Sequence, residues 1–277
     1  MTERIRRIYI PSRGRANVDF GNCCTIDHLP YLCRMATTLV VPPDEAEDYA
    51  RRWPHLDVVA PEVSGIGPVR QWIVDTAAPG EVCLMMDDDM KFGRRADDWT
   101  PETFPTVDPI SPEQVGAMVM AIFEKAEDYA MVGVSQRAGN NRHSERWWKE
   151  STRANNIYAV HADVLRENGI TFTPEGLDVM EDFHVTLSLL KAGYPNVVST
   201  NYFWGQMGSN AEGGCSTWRT NEIQRRSALR LQELHGEDLV AVIEKKSRSS
   251  WEGMETRTDV RIQWRRAISN AAKGMYR

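Results

Sequence analysis

The first third of the chain alternates short apolar runs with amphipathic segments, and this order restricts the fold more than any other feature. Four runs of strand length lie at 6–12, 37–43, 56–62 and 81–89. The segments 44–54 and 64–80 between them have helical patterns that stop at proline or at Pro-Gly. Strands that alternate with helices predict an α/β fold with a mainly parallel sheet flanked by helices.

The same order continues less regularly in the rest of the chain. A long loop is predicted over 92–112, where four prolines and several acidic residues lie. Ser111 is then the expected N-cap of a helix. Further strand patterns begin at 131, 157 and 197, and a helix is predicted to end near Gly193. The polar and aromatic stretch 138–156 is predicted to be an excursion over a site.

The composition is that of a globular protein, with 42% hydrophobic and 26% charged residues in 277. No run approaches the length of a membrane span, and charges interrupt the N-terminal segment where a signal core would lie. We therefore expect a cytoplasmic protein without a membrane partner. The five cysteines have no metal-binding spacing and are expected to be reduced thiols; they are at positions 23, 24, 33, 83 and 215.

The net charge of −6 is unevenly distributed. Residues 219–277 contain 13 basic and 8 acidic side chains, a balance of +5, so the remaining 20 basic and 31 acidic side chains give −11. We predict a catalytic domain over 1–218 and a basic, helical C-terminal extension over 219–277 that packs on it, although no linker separates the two. The basic segment suits a polyanion, and the alternative is a solvated helical face.

Three consecutive aspartates, Asp87, Asp88 and Asp89, directly follow the apolar run 82–86. Adjacent carboxylates repel one another and are costly to desolvate, so their position after a buried strand needs a physical reason. Ligands of open parallel sheets bind beyond the carboxyl ends of the strands. A divalent cation there would neutralise the carboxylates and hold a diphosphate. The pattern favours such a site over a solvated loop cluster.

Two other segments carry groups suited to the same ligand. The glycine loop 64–67 opens a helix whose first N–H groups and Arg70 suit an anion, although such glycines also serve ordinary turns. Glu181 and Asp182 begin a later helix, where acidic residues more often offset the helix dipole than take part in catalysis. Their place in the order of strands and helices is nevertheless that of a catalytic carboxylate.

In chain order, "IPSRGRA", "GIGPVRQWIV", "LMMDDDM" and "MEDFHVTLSLLKAGYP" resemble the nucleotide-sugar glycosyltransferases of the GT-A fold over about residues 5–215. The segments most resemble the phage TET-associated glycosyltransferases, which are thought to glycosylate 5-hydroxymethylcytosine in phage DNA. The resemblance implies a metal-dependent glycosyltransferase with a nucleotide-diphosphate sugar, most commonly a UDP-sugar, as donor. It also implies Mn²⁺ or Mg²⁺ as the metal, DNA as the acceptor and the cytoplasm of the bacterial host as the location.

The resemblance further implies roles for individual residues. The nucleotide is expected to meet the first loop through Pro11, Ser12, Arg13 and Arg15. Arg70 is expected to meet the sugar or the phosphates, and Gln71 is a weaker candidate. Asp182 matches the base that takes the proton of the acceptor hydroxyl in inverting relatives, and Glu181 would orient it or contact the sugar.

The aspartates divide between donor and metal under this interpretation. Asp89 is expected to bind the metal, Asp87 to lie near the ribose or sugar and to be a second metal ligand, and Asp88 to do either. Many GT-A enzymes take a third ligand from a late histidine, which the loop 205–216 lacks. Gln206, Asn210 or water are the substitutes.

The acceptor is expected to meet aromatic and basic groups. Trp147 and Trp148 would stack an extruded base or pack as a lid, and a helix through 260–269 would present Arg261 and Arg265 to phosphates or pack on the body. His184 would lie about 200° from Asp182 on a helix and is expected to pack, and His161 is a weak site candidate. Trp204 and Trp218 are expected to pack the late loop.

Three rival functions remain open at this point. A GT-A enzyme could use a glycan, a protein or a small molecule as acceptor. A nucleotidyltransferase also uses carboxylates and a metal, but "PSRGRA" only partly matches its glycine-rich signature. A catalytically silent nucleic-acid-binding protein could share the fold, although the presence of Asp87, Asp89 and Asp182 together argues against it.

Overall fold

The structure is a computed structural model that describes residues 5–19, 21, 23–95, 110–137, 147–206, 220–246 and 256–276 of the chain. The strands are β1 (Arg6–Pro11), β2 (Thr37–Val40), β3 (Asp57–Val59), β4 (Val82–Met86), β5 (Met90–Arg94), β6 (Met131–Gln136), β7 (Trp148–Glu150), β8 (Ile157–His161), β9 (Asn196–Gln206), β10 (Val240–Lys246) and β11 (Thr256–Ile262). The helices are α1 (Thr25–His28), α2 (Tyr31–Met35), α3 (Ala46–Arg52), α4 (Ile66–Thr76), α5 (Pro112–Lys125), α6 (Ala162–Glu167), α7 (Glu181–Lys191), α8 (Asn221–His235) and α9 (Trp264–Ala272), with a 3₁₀ turn at Pro43–Glu45.

Strands β1 to β9 form one mixed sheet in the order β3-β2-β1-β4-β8-β6-β9-β5, with β7 paired to β9. β1, β2, β3 and β4 are mutually parallel, and β6 and β9 run the same way. β8 is antiparallel to both β4 and β6, and β5 and β7 are antiparallel to β9. The predicted α/β fold with a mainly parallel sheet flanked by helices is confirmed.

Side chains from the two faces of the sheet form separate clusters. Along β4, Leu84 and Met86 join the cluster that includes α5, whereas Cys83 and Met85 join the cluster that includes α4, α6 and part of α7. Successive side chains of a strand point to opposite faces, so a strand buried on both faces has a continuous apolar sequence. Ser111 caps α5 in a capping box with Gln114, as expected from the sequence.

The C-terminal segment forms a third cluster with the outer side of α7. Phe183, Leu187 and Leu190 of α7 pack there with side chains of α8, β10, β11 and α9. Helix α7 is therefore enclosed between the sheet and this segment, and nine of its eleven residues are buried. The helix that carries Glu181 and Asp182 thus has its position fixed from both sides.

The prediction of a largely helical C-terminal segment is wrong for residues 240–246 and 256–262, which are strands. β10 and β11 form an antiparallel hairpin between α8 and α9. Arg261 lies on β11 and Arg265 on α9, so the two arginines do not share a helical face. The strand pattern prevails because Val240, Val260 and their β-branched neighbours can bury one face of the hairpin against α7 and α8. Among the described helices, none is long and apolar enough to span a membrane.

Candidate active site

A cleft of about 710 Å³ lies at the carboxyl ends of the parallel strands. The loop after β1, the loop before α4, the turn after β4 and the start of α7 all open into it. From the predicted site, the cleft is lined by Pro11, Ser12, Arg13, Arg15, Arg70, Asp87, Asp88, Asp89, Glu181, Asp182 and Gln206. These residues, widely separated in the sequence, meet because consecutive parallel strands deliver their C-terminal loops to one edge of the sheet.

Arg70 joins the aspartate turn to helix α7. Its Nη2 donates to Asp87 Oδ1 at 2.9 Å and its Nη1 to Glu181 Oε1 at 2.5 Å. The guanidinium is buried and lies over the Tyr158 ring, 5.3 Å from the centroid. Asn156 donates to the other oxygen of Asp87 at 2.5 Å. Both oxygens of Asp87 are therefore held by donors, and the carboxylate has a fixed orientation at the cleft wall.

A hydrogen-bond chain fastens the first loop to the aspartate turn. The Arg15 backbone N–H donates to the Tyr49 hydroxyl at 3.1 Å, and the Tyr49 and Ser12 hydroxyl oxygens lie 2.6 Å apart. The Ser12 hydroxyl donates to Asp88. Because Tyr49 is fully buried on α3, this chain fixes the position of the loop that the resemblance assigns to the nucleotide.

Asp89 has a cationic and a neutral partner. Arg15 Nη2 lies 3.1 Å from Asp89 Oδ2, and Gln206 Nε2 donates to Oδ1 at 3.3 Å. Gln206, the last residue of β9, is one of the substitutes considered for a late histidine, and it reaches Asp89. Asn210, another of them, lies outside the described residues.

Burial opposes ionisation throughout the aspartate turn. Desolvation raises the pKa of Asp87 to about 6 although Arg70 acts against it, and it raises that of Asp88 to about 7 against the effect of Arg15. Desolvation also raises the pKa of Asp89. Neighbouring carboxylates contribute to the shifts of Asp87 and Asp88. The arginines thus compensate the negative charge of the turn only in part.

The charge of the cleft fits an additional cation, but the side chains alone do not complete a metal site. Among the described residues, the five carboxylates of the predicted site form ion pairs with three guanidinium groups, those of Arg15, Arg70 and Arg153. The part of the chain that the structure describes contains no group of three or more histidine, cysteine or carboxylate side chains able to hold a metal ion. Hard carboxylate oxygens suit Mn²⁺ or Mg²⁺, and other ligands would have to complete the coordination.

Asp182 lies on the first turn of α7, next to Glu181. Arg153 donates to Asp182 Oδ2 through Nε at 3.0 Å and through Nη2 at 2.9 Å. The residue before the helix, Met180, has a φ of 72°, a left-handed conformation that is uncommon for a side chain of this kind. This kink turns the chain into α7 so that both carboxylates reach the cleft lining.

Several predicted residues lie away from the cleft lining. Gln71 instead accepts a hydrogen bond from the Phe172 N–H, and Trp148 is partly buried against the core below Lys125. The remaining acceptor candidates outside the lining are Trp147, Arg261 and Arg265. Trp218 lies outside the described residues, and Trp204 is buried and does line the cleft.

The two histidines have separate explanations. His161 is at the wrong end of the sheet, because β8 runs antiparallel and pairs His161 with Val82, at the start of β4. The same reversal brings Asn156, just before β8, to Asp87. His184 packs as expected, in a buried pair with His235 on α8 whose ring nitrogens lie 2.9 Å apart.

Sequence reasoning missed other residues that line the cleft. Arg153 and Asn156 lie in the stretch predicted as an excursion, and no motif marks them. Gln224, Arg257 and Asp259 come from α8 and β11 of the C-terminal segment. Their presence shows that the C-terminal segment forms part of the cleft wall as well as packing on α7.

The fold and the cleft define an α/β protein with a site lined by carboxylates and arginines at the carboxyl edge of its sheet. Residues 6–214 match the model of the TET-Associated Glycosyltransferase family, so the chain belongs to that family and is a glycosyltransferase. No curated protein matches the chain.

Three solved structures are similar to the chain at low sequence identity. TarS of S. aureus, residues 1–349, has a TM-score of 0.47 and 15% identity over 82% of this chain and 65% of its own. GalNAc-T7, solved with UDP, GalNAc and Mn²⁺, has a TM-score of 0.47 and 12% identity over 83% of this chain and 48% of its own. A mycobacterial protein has a TM-score of 0.49 and 10% identity over 94% and 84%. The chain thus spans slightly less than two thirds of the TarS fragment.

Proposed function

We propose that the chain transfers a sugar from a UDP-sugar to the hydroxymethyl group of 5-hydroxymethylcytosine in DNA, in the cytoplasm of a phage-infected bacterium. Family membership supports the transfer of a sugar. The observation that carries the rest is the linkage of Arg70 to both Asp87 and Glu181, directly beside Asp182. Through this linkage, the aspartate turn, which suits the sugar donor, is connected to the start of α7, where Asp182 suits the acceptor hydroxyl.

The donor would lie between the first loop and the aspartate turn. Pro11, Ser12, Arg13 and Arg15 line this part of the cleft, and the start of α4 adds backbone N–H groups. Gly65 precedes α4 with a φ of 98°, a conformation that favours glycine and lets the loop approach a ligand closely. Arginine side chains and a helix N-terminus together provide the hydrogen-bonding N–H groups that a diphosphate requires.

A divalent cation would be held by Asp89, with Asp87 as a second ligand. It would supply Lewis-acid stabilisation of the departing diphosphate. The excess of carboxylates over arginines supports this proposal. The donor phosphates, water and Gln206, which contacts Asp89, are the candidates for the remaining ligands.

Asp182 would act as the general base. The acceptor hydroxyl gives its proton to the Asp182 carboxylate while its oxygen forms a bond to the anomeric carbon. The bond between that carbon and the diphosphate oxygen breaks, and its electron pair leaves with the diphosphate. Glu181, held by Arg70, would contact the sugar or fix the start of α7. A base of this kind contributes about 10²–10⁴-fold to the rate.

Basic side chains of β7 and the C-terminal segment support a DNA acceptor. Arg257 lines the same cleft as Asp182. Burial, together with the charge of Arg265, lowers the pKa of Lys149, so β7 and α9 bring two cations close together. Arg261 adds another cation, which is exposed, on β11. Phosphates of a duplex would relieve the repulsion among these groups, and Trp147 would stack on the target base.

Transfer to isolated DNA tests this function. The protein is incubated with duplex containing 5-hydroxymethylcytosine, Mn²⁺ or Mg²⁺ and a panel of nucleotide-sugars, and the digested nucleosides are weighed by mass spectrometry. We expect a hexose-sized mass increase on 5-hydroxymethylcytosine only, absent from duplex with plain cytosine and from Asp182→Asn. Donor hydrolysis without DNA labelling, or labelling of a glycan instead, would reject the acceptor. Activity of Asp182→Asn within threefold of the parent would reject the base.

A further inference from the structure

Arg153 pairs with the carboxylate of Asp182 and packs on the first of two stacked rings. We infer that Arg153 is a positioning residue for Asp182, and that Trp264 of the C-terminal segment holds Arg153 in place through Phe183. We call Arg153, Phe183 and Trp264 the guanidinium–ring stack. The inference rests on the proposed role of Asp182 as the base and extends the reacting machinery to α9.

The contact between Arg153 and Asp182 engages one carboxylate oxygen and leaves the other available to accept a proton. Arg153 donates to Oδ2 through Nε at 3.0 Å and through Nη2 at 2.9 Å. Within the described residues, no hydrogen bond to Oδ1 of Asp182 is found. A carboxylate with one oxygen fixed by two hydrogen bonds presents the second oxygen in a fixed direction, as a general base must.

Arg153 by itself would hold this carboxylate poorly. Its side chain is 40% exposed, and an exposed ion pair gains little because two long side chains must be ordered. The ring of Phe183 removes much of that freedom. The Arg153 Cζ lies 4.0 Å from the centroid of the Phe183 ring, so the guanidinium face packs on the ring while its edge meets the carboxylate.

The C-terminal segment supports this ring from the other side. Phe183 stacks on Trp264, with 5.9 Å between centroids and 17° between ring planes. Trp264 is the first residue of α9 and joins the cluster between α7 and the C-terminal segment. Three separate parts of the chain therefore meet in one stack, whose end is the candidate base.

The stack predicts that Trp264 affects turnover without touching a substrate. Trp264→Leu fills the space but removes the aromatic face, and we expect about a 10-fold loss of kcat. Arg153→Met is expected to lower kcat by up to about 10²-fold, and Arg153→Lys to recover only part of that. Affinity for UDP with Mn²⁺, measured by calorimetry, should stay within twofold for each variant.

The matched control is Ile268→Ala on the same helix. Ile268 packs in the same cluster as Trp264, so its loss lowers the melting temperature without touching the stack. We expect Ile268→Ala to keep the parent kcat. Trp264→Phe should keep most of the turnover because it keeps an aromatic ring. Trp264→Leu in the Arg153→Met background should cause no further loss of kcat, because both changes act through the same contact with Asp182.

The outcomes separate this inference from the proposed function. If Asp182→Asn is inactive but Arg153→Met turns over like the parent, the stack has no role and the base remains. A raised KM for DNA with unchanged kcat in Arg153→Met would make Arg153 an acceptor ligand and overturn the inference. Equal kcat for Trp264→Leu and Ile268→Ala would also overturn it. If Trp264→Leu fails to fold, the comparison of Arg153→Met, Arg153→Lys and Trp264→Phe decides.

Discussion

Acidification from pH 7.5 to 5 is expected to destabilise the contact between α7 and the C-terminal segment through the His184–His235 pair. His184 Nδ1 and His235 Nε2 lie 2.9 Å apart, so one ring donates to the other while both are neutral. Burial lowers the pKa of His184 to about 4, and the nearby charges of Lys191 and Arg230 act in the same direction. Burial lowers the pKa of His235 to about 3, assisted by His184 and Lys191.

The sign and size of the effect follow from proton linkage. The folded pKa values lie below the ordinary value of 6.5, so the unfolded chain binds more protons between about pH 4 and 6.5. Stability from the pair is therefore complete above pH 6.5 and is lost as the pH falls below it. At pH 5 each histidine lowers the free energy of unfolding by ~2 kcal/mol relative to pH 7.5, so the pair lowers it by ~4 kcal/mol.

Urea unfolding followed by tryptophan fluorescence measures the effect. The double variant His184→Leu with His235→Leu removes both partners of the hydrogen bond, a change that costs little when the replacements are apolar. The loss of unfolding free energy between pH 7.5 and 5 should be ~4 kcal/mol smaller in this variant than in the parent. The exposed His55→Gln serves as control and should follow the parent. Parallel pH dependence of parent and double variant would refute the reasoning.

Three other changes test the cleft and the C-terminal segment. Arg70→Met is expected to lower the unfolding free energy at pH 8 by about 3–5 kcal/mol, because the buried Glu181 and the partly buried Asp87 lose their partner; a loss below about 1 kcal/mol in urea unfolding contradicts this. Asp89→Asn should abolish the dependence of UDP affinity on Mn²⁺ in calorimetry, and an unchanged dependence would remove Asp89 from the metal site. Arg261→Ala with Arg265→Ala should flatten the slope of log affinity for duplex against log salt by up to about two units; an unaltered slope would assign both arginines to the solvated surface.

The carboxyl edge of the sheet could be predicted because strand and helix patterns determine where loops go. The apolar run before Asp87 identified β4 as a buried strand, and the alternation with helices made it parallel to β1. Those two inferences place the loop after β1 beside the aspartate turn, as the structure shows. The pairing of Arg70 with Glu181 could not be predicted from the sequence, because it depends on side-chain geometry between segments more than a hundred residues apart.

The direction of β8 illustrates what local patterns leave open. An isolated strand has the same periodicity whether it runs parallel or antiparallel, and the antiparallel choice depends on its neighbours β4 and β6. Because the sequence leaves this direction open, His161 is a weak site candidate from its strand end, and nothing marks Asn156. The hairpin β10–β11 could have been found, since Val240 and Val242 alternate with outward residues as a half-buried strand requires.

The arrangement of charge links donor binding to the cation in the proposed reaction. In the free protein, Arg15 pairs with Asp89, and both line the part of the cleft assigned to the donor. A diphosphate that takes up the Arg15 guanidinium removes the counter-charge of a buried carboxylate, which is costly unless another positive charge replaces it. The donor and a divalent cation are therefore expected to strengthen each other's binding, by the same factor in each direction. Arg70 and Arg153 keep their ion pairs with Glu181 and Asp182 in this scheme. Only Arg15 changes partner, from Asp89 to the diphosphate, so Asp182 stays in position for the acceptor.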